Sequence, residues 1–297
     1  MPMNDTVVLE WSYTPESYFE DKFETNLSLG NDQYKMVIKK GKIEVYISSS
    51  LYDNNHSVHN RIYDAINRKL KVLLLNKFEP LMISKSVLIN SHSANDKKTR
   101  ISYYDVVIDI RNASENIVHK DKNGNVVYDS HNVKMEKNKE LIGLINRCES
   151  KDFFAISLLD CLYRATNNKS HELIHLYEVI EALSKKFGSQ QSARQSLAIS
   201  RKDWSRLGEI ANDLPLKQGR HAGKKINELR DVTIAELIEA RQLAQRFVKA
   251  YLNYLDVDNR WEYKGFNEGR HNYKIIKTLV ETDRIMKEID ELIGDII

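Results

Sequence analysis

The stretch KELIGLINRCESKDFFAISLLDCLYRA, residues 139–165, decides how the chain is read. Its apolar residues recur at helical spacing, and the same periodicity runs on through HELIHLYEVIEALSKKF, residues 171–187. Upstream the pattern is different. TVVLEWSY (6–13) is rich in β-formers, and QYKMVIKKGKIEVYIS (33–48) alternates on both sides of a Lys-Gly-Lys turn, which predicts a hairpin. Ser57 opens a helical stretch to about residue 75, with Val58, Ile62, Ile66, Leu70 and Leu73 on one broadly apolar face. PLMISKSVLIN (80–90) and ISYYDVVIDIR (101–111) read as strands, and Asn123-Gly124 as a tight primed turn. The pattern therefore predicts an α+β fold: an α+β N-terminal domain over 1–132, a helical domain over 133–258 and a C-terminal helical extension over 259–297.

Within the helical half, Ser200 reads as the cap of RKDWSRLGEIAND. Thr233 and Glu236 fit a capping box that starts the longest helix, which carries Leu237, Ala240, Leu243, Phe247 and Tyr251 to about Leu255. Near the end, Leu279, Met286, Ile289, Ile293 and Ile296 follow alternating three- and four-residue steps, interrupted by Thr282. That seam fits either a dimerising helix or one packed on its own domain.

Composition narrows the class. With 297 residues, 41% hydrophobic and 29% charged, the chain is globular and not disordered. No apolar run is long enough to cross a bilayer, and the start MPMNDTVVLEW lacks a signal layout, so a cytoplasmic protein without membrane attachment is expected. The two cysteines, Cys148 and Cys161, lie in amphipathic segments and read as buried free thiols. Between Lys185 and Lys225 ten Lys or Arg face three acids, a local excess of +7 in a chain of net +3. Such a region fits phosphate attraction or a solvated helix surface.

Histidines define the candidate chemistry. His171-Glu172-Leu173-Ile174-His175 matches the HExxH string of zinc hydrolases, yet Leu173, Leu176, Tyr177, Ile180, Leu183 and Phe187 form the apolar stripe. Both histidines then project away from the core and no third ligand is evident, so no metal or other cofactor is expected. Arg164 and His171 flank a helix-to-helix turn. A histidine that moves a proton beside an arginine that stabilises phosphate charge suits metal-free RNA cleavage. The same residues also fit a cation in a last helical turn and a surface histidine.

LPLKQGRHAGKK (214–225) presents Arg220-His221 between Gly219 and Gly223, with Lys217, Lys224 and Lys225 around them. It lacks P-loop spacing but fits a phosphate-holding loop. It equally fits a connector fastened by pairing Arg220 and His221 with Asn212, Asp213 or Glu228. Arg201, Lys202 and Arg206 add to the candidate nucleic-acid surface. RWEYKGFNEGRHNYK (260–274) interleaves aromatics with cations, which suits base stacking or a connector anchored by snorkelling side chains.

LYEVIEALSKKFG, then SLAISRKDWSRLGEIANDLPLKQGRHAGK, then a capped helix ending RFVKAYLNYL, resembles bacterial proteins of the MauJ type and HEPN domains of the ApeA-like branch. The resemblance covers about residues 150–256. It implies a helical domain that acts on or binds RNA in bacterial defence or toxin systems, often as a homodimer with a composite site. HEPN ribonucleases usually place a histidine four to six residues after an arginine near the start of the last core helix. Here Arg220 directly precedes His221, and the spaced pair Arg164 and His171 lies between earlier helices. The resemblance thus implies either an altered active motif, with Arg220 and His221 as catalytic pair and Arg164 and His171 as the alternative, or a non-catalytic sensor or interaction module. In that second case the N-terminal domain would bind a protein partner.

Overall fold

A computed structural model describes residues 5–30, 32–54, 57–85, 87–93, 96–102, 118–120, 125–220 and 229–262. The fold is α+β, an antiparallel sheet followed by a run of helices. The strands are β1 (Asp5–Thr14), β2 (Phe23–Leu29), β3 (Asp32–Lys39), β4 (Lys42–Ser48), β5 (Met82–Ile83), β6 (Val87–Ser93) and β7 (Asp96–Ser102). They lie in the order β2-β3-β4-β1-β6-β7, with β5 also paired to β1. A separate ribbon joins β8 (Val118–Lys120) to β9 (Val126–Asp129). The Asn123-Gly124 pair and most of 101–111 lie outside the described residues.

The hairpin expected at Lys40-Gly41 forms, with Lys39 opposite Lys42. Gly41 takes φ +68°, a left-handed conformation that L side chains rarely adopt, and its carbonyl accepts from the Tyr13 amide at 3.0 Å. Alternation sends Val7, Leu9, Trp11 and Tyr13 into the core beside Met36, Ile38, Ile43, Val45 and Ile47. Helix α1 (Ser49–Asn54) leads to α2 (Val58–Leu70), which packs against β2. All five expected apolar positions, Val58, Ile62, Ile66, Leu70 and Leu73, are buried. The chain then tightens into a 3-10 segment, Lys71–Leu75, that buries Val72, Leu73 and Leu74 in consecutive positions.

The helical half begins at α3 (Ser130–Cys148), whose N-terminus is capped by Asp129 accepting from the His131 amide at 2.9 Å. There follow α4 (Phe154–Asn167), α5 (Glu172–Lys186), α6 (Gln190–Ser196), α7 (Arg201–Gly208) and α8 (Ile234–Glu262). Ser200 caps α7 through the Asp203 amide at 3.0 Å. Thr233 and Glu236 exchange both capping-box bonds at the start of α8, at 3.2 and 2.9 Å. Cys148 and Cys161 are buried free thiols. No helix among the described residues is long and apolar enough to cross a membrane.

Residues Met1–Asp256 form one compact unit and Val257–Ile297 a second. Inside the first unit one apolar core extends from the strands into the helices. Polar joints fix the seam. The buried Asn138 donates to the Tyr18 carbonyl at 2.9 Å and accepts from Asn76 at 2.9 Å. Gln245 on α8 donates to the Leu74 carbonyl at 2.5 Å. Lys69, almost fully buried, donates to the Asn26 carbonyl at 2.8 Å and meets Glu149 at 3.3 Å. Burial pulls its pKa down while Glu149 pulls it back up.

Candidate functional site

Helix α5 is the axis around which the candidate residues arrange. Leu173, Leu176, Val179, Ile180 and Leu183 bury one side of it, and Glu172 is buried with them. Glu172 is therefore not a free base in an HExxH site. Both its oxygens are engaged by Arg241 of α8, with Nη2 at 2.9 Å and Nε closer still, and Lys169 lies at 3.5 Å. The Arg241 guanidinium also covers the Phe78 ring at 5.4 Å. The string's two histidines go separate ways. His171 is exposed, its Nδ1 meeting Ser170 Oγ at 2.9 Å and Asn168 Oδ1 at 3.1 Å beside the turn into α5. His175 meets Glu178 Oε2 through Nδ1 at 3.2 Å. Among the described residues no three His, Cys, Asp or Glu side chains are grouped to hold a metal ion.

The opposite side of α5 carries two carboxylates three residues apart, Glu178 and Glu181, and each receives an arginine from a different element. Arg164, in the last turn of α4, reaches Glu178 Oε2 with Nη2 at 2.8 Å. Its Nε donates to the Asp160 carbonyl at 3.4 Å and Nη2 also contacts Cys161 Sγ at 3.5 Å. Arg164 is thus joined to His175 through Glu178, while the contacts of His171 are with its own cap. The turn at Asn167-Asn168 brings α5 back alongside α4 and puts Glu178, in its second turn, next to Arg164. The sequence signal for this contact is the one-turn spacing of His175 from Glu178 on the same helix face.

Arg220 reaches the same helix from the connector between α7 and α8. It pairs with Glu181 in a very short contact and lies over the Tyr177 ring at 5.2 Å. Glu181 keeps the guanidinium firmly charged. None of the expected partners Asn212 and Asp213 takes it; His221, Glu228, Lys224 and Lys225 lie outside the described residues. The local reason is Pro215. α7 runs into a wide π turn, Glu209–Asp213, and the residue that would donate to the Ala211 carbonyl in an α-helix is this proline, which has no N–H. The freed carbonyl accepts the Arg220 amide at 3.0 Å, which folds the loop back toward α5. Gly219 permits the approach, since a Cβ there would lie 3.2 Å from the Leu216 carbonyl oxygen.

Among the described residues, three further cations of the positive region are paired with acids, most of them distant in sequence. Lys217 pairs with Asp231 at 3.0 Å, Lys186 with Asp152 at 2.6 Å, and Arg206 with Glu239 at 2.8 Å and Glu209 at 3.0 Å. Arg201 and Lys202 are exposed at the start of α7, and Lys185 is exposed at the end of α5. The aromatic-cationic stretch from 263 onward and the apolar seam from Leu279 to Ile296 lie outside the described residues.

No family model, no curated protein and no solved structure matches the chain. Sequence and geometry define an α+β protein with an arginine- and histidine-bearing helix face, and the functional reading rests on that face.

Proposed function

We propose that the protein acts on RNA, binding its backbone on the outer face of α5 and cleaving it without a metal. The observation that carries this reading is the convergence of Arg164 and Arg220, from two separate elements, on carboxylates one helical turn apart. Side chains three apart on a helix have Cβ atoms about 5–6 Å from each other, so the two carboxylates lie side by side on one face. Arg164 is half exposed and Arg220 about a third exposed, and such surface pairs contribute only about 0–1 kcal/mol each. A phosphate can take Arg220 from Glu181 at small cost, or add to the Nη1 of Arg164 that Glu178 leaves free. Exposed Arg201 and Lys202 would extend the positive track, and the HEPN resemblance of 150–256 supports the same substrate class.

The test is fluorescence anisotropy of a labelled single-stranded RNA with the full chain at about 50 mM salt, repeated at about 200 mM. Binding that weakens steeply with salt, and weakens further in Arg164→Ala and Arg220→Ala, is the expected result. Absence of binding at the lower salt sinks the reading.

A second reading, as a non-catalytic interaction module, is favoured by one observation. Val118, Val126 and Tyr128 on the β8–β9 ribbon and Val133 at the start of α3 are all exposed. Exposed apolar side chains on a ribbon and at the start of the helix that follows it fit a protein partner or a second copy of the chain. Sedimentation of the wild type and of Val126→Glu across a concentration series distinguishes self-association from a monomer.

A further inference from the structure

We propose that His175, held through Nδ1 by Glu178, is the proton-transfer group of the RNA-cleaving site, with Arg164 as its phosphate-holding partner. This rests on the RNA reading above and names a histidine that neither Arg/His motif contains. His175 sits in the second turn of α5, on a helix whose far side is locked into the core, so its backbone position is fixed. Its side chain is only 16% exposed. The single carboxylate oxygen Glu178 Oε2 takes both Arg164 Nη2 and His175 Nδ1. A carboxylate facing Nδ1 favours the tautomer that carries its proton there and leaves the Nε2 lone pair as the basic site. Among the described residues Nε2 has no hydrogen-bond partner.

Arg164 is prepared in the same way. Its Nε and Nη2 are used by the Asp160 carbonyl, Cys161 and Glu178, which fixes the plane of the guanidinium. Nη1 keeps both its N–H groups for an incoming oxygen. Cys161 does not compete as a nucleophile, since burial raises its pKa and keeps it a neutral thiol. His171, by contrast, is bound to its own turn through Ser170 and Asn168.

The step balances with these groups alone. Neutral His175 takes the proton of an RNA 2′-hydroxyl at Nε2, and the 2′-oxygen forms a bond to the adjacent phosphorus. The P–O5′ bond breaks, and the proton held on the imidazole passes to the departing 5′-oxygen. The products are a 2′,3′-cyclic phosphate and a 5′-hydroxyl, with no water consumed. Arg164 Nη1 stabilises the charge that builds on the non-bridging oxygens. Glu178 acts as a positioning residue, through His175.

The experiment follows cleavage of a fluorophore- and quencher-labelled single-stranded RNA by the full chain, with anisotropy binding of the same RNA measured in parallel. His175→Ala and His175→Gln are expected to lower the cleavage rate by about 100-fold or more while RNA affinity stays within about threefold. Added imidazole should restore part of the rate in His175→Ala. Glu178→Gln should lower kcat by about tenfold and leave KM unchanged. An RNA carrying 2′-deoxyribose at every position should bind and remain intact. Retained cleavage in either His175 variant, or loss in His171→Ala with His175→Ala active, overturns the assignment and leaves RNA cleavage standing. Wild-type protein that binds RNA without cutting it also overturns the assignment and retains only binding. Failure of the wild type to bind RNA removes the functional reading itself.

Discussion

The two sides of α5 use the same chemistry for opposite ends. On the inner side, Glu172 is 1% exposed and pairs with Arg241 through both its oxygens. On the outer side, Glu178 and Glu181 pair with Arg164 and Arg220 in contact with solvent. Removing a charge from the inner pair leaves an arginine facing an uncompensated, desolvated site, which is costly. Removing one from an outer pair lets water take over, which is not. Arginine-carboxylate pairing is structural where it is buried and exchangeable where it is wet, so the exposed pairs are the ones a phosphate can enter.

Breaking the inner pair should give the largest effect. Glu172→Gln is expected to destabilise by about 3 kcal/mol, lowering the midpoint of thermal unfolding by roughly 6 °C or more in calorimetry. A shift no larger than that of an outer-pair variant would abolish the contrast. Next comes the cap that starts α8. Thr233→Ala removes an exchange of hydrogen bonds with Glu236 and should cost about 1 kcal/mol, read from urea unfolding.

Glu236 sharpens the comparison through pH. Arg230, above all, and the Thr233 amide and hydroxyl bring its carboxyl from 4.5 down to about 2. A carboxyl depressed in the folded state stabilises fully above its unfolded value, and that contribution fades as pH falls through the folded one. The stability gap between wild type and Glu236→Gln should therefore be constant above about pH 5 and close between about 4.5 and 2. A gap that persists at pH 2 would contradict it. The smallest expected effect is that of Glu181→Gln, within about 0.5 kcal/mol of wild type by urea unfolding. The same substitution should tighten RNA binding by freeing Arg220; weaker binding would mean that Glu181 holds Arg220 in its working position.

Much of the fold was legible because its signals are local. Ser200, Thr233 with Glu236, the Lys40-Gly41 turn and the apolar face from Val58 to Leu73 each act over a few residues, and each appears where the spacing places it. The 3-10 tightening after Leu70 was not legible, since an unbroken apolar run such as KVLLL satisfies a helix and a tighter turn alike. The candidate site was read less well for a physical reason. Charge counted in a window of sequence misses partners that arrive through the fold, so the excess from Lys185 to Lys225 overlooked Glu239, Asp231, Glu181 and Asp152. Periodicity placed both histidines of HELIH off the apolar stripe, but it could not show that Glu172 faces Arg241 or that Glu178 joins His175 to Arg164.

Leu216 and Arg230 form a parallel bridge, with the Lys217 amide donating to the Arg230 carbonyl and the Arg230 amide to the Pro215 carbonyl, both at 3.0 Å. Gln218 and Lys217 add contacts to Asp231, and Arg220 is tied separately to Ala211 and Glu181. The two ends of the connector are thus clamped together independently of what lies between them. Arg220 is therefore kept in register with α5 by main-chain bonds at the base of the connector as well as by its own side chain.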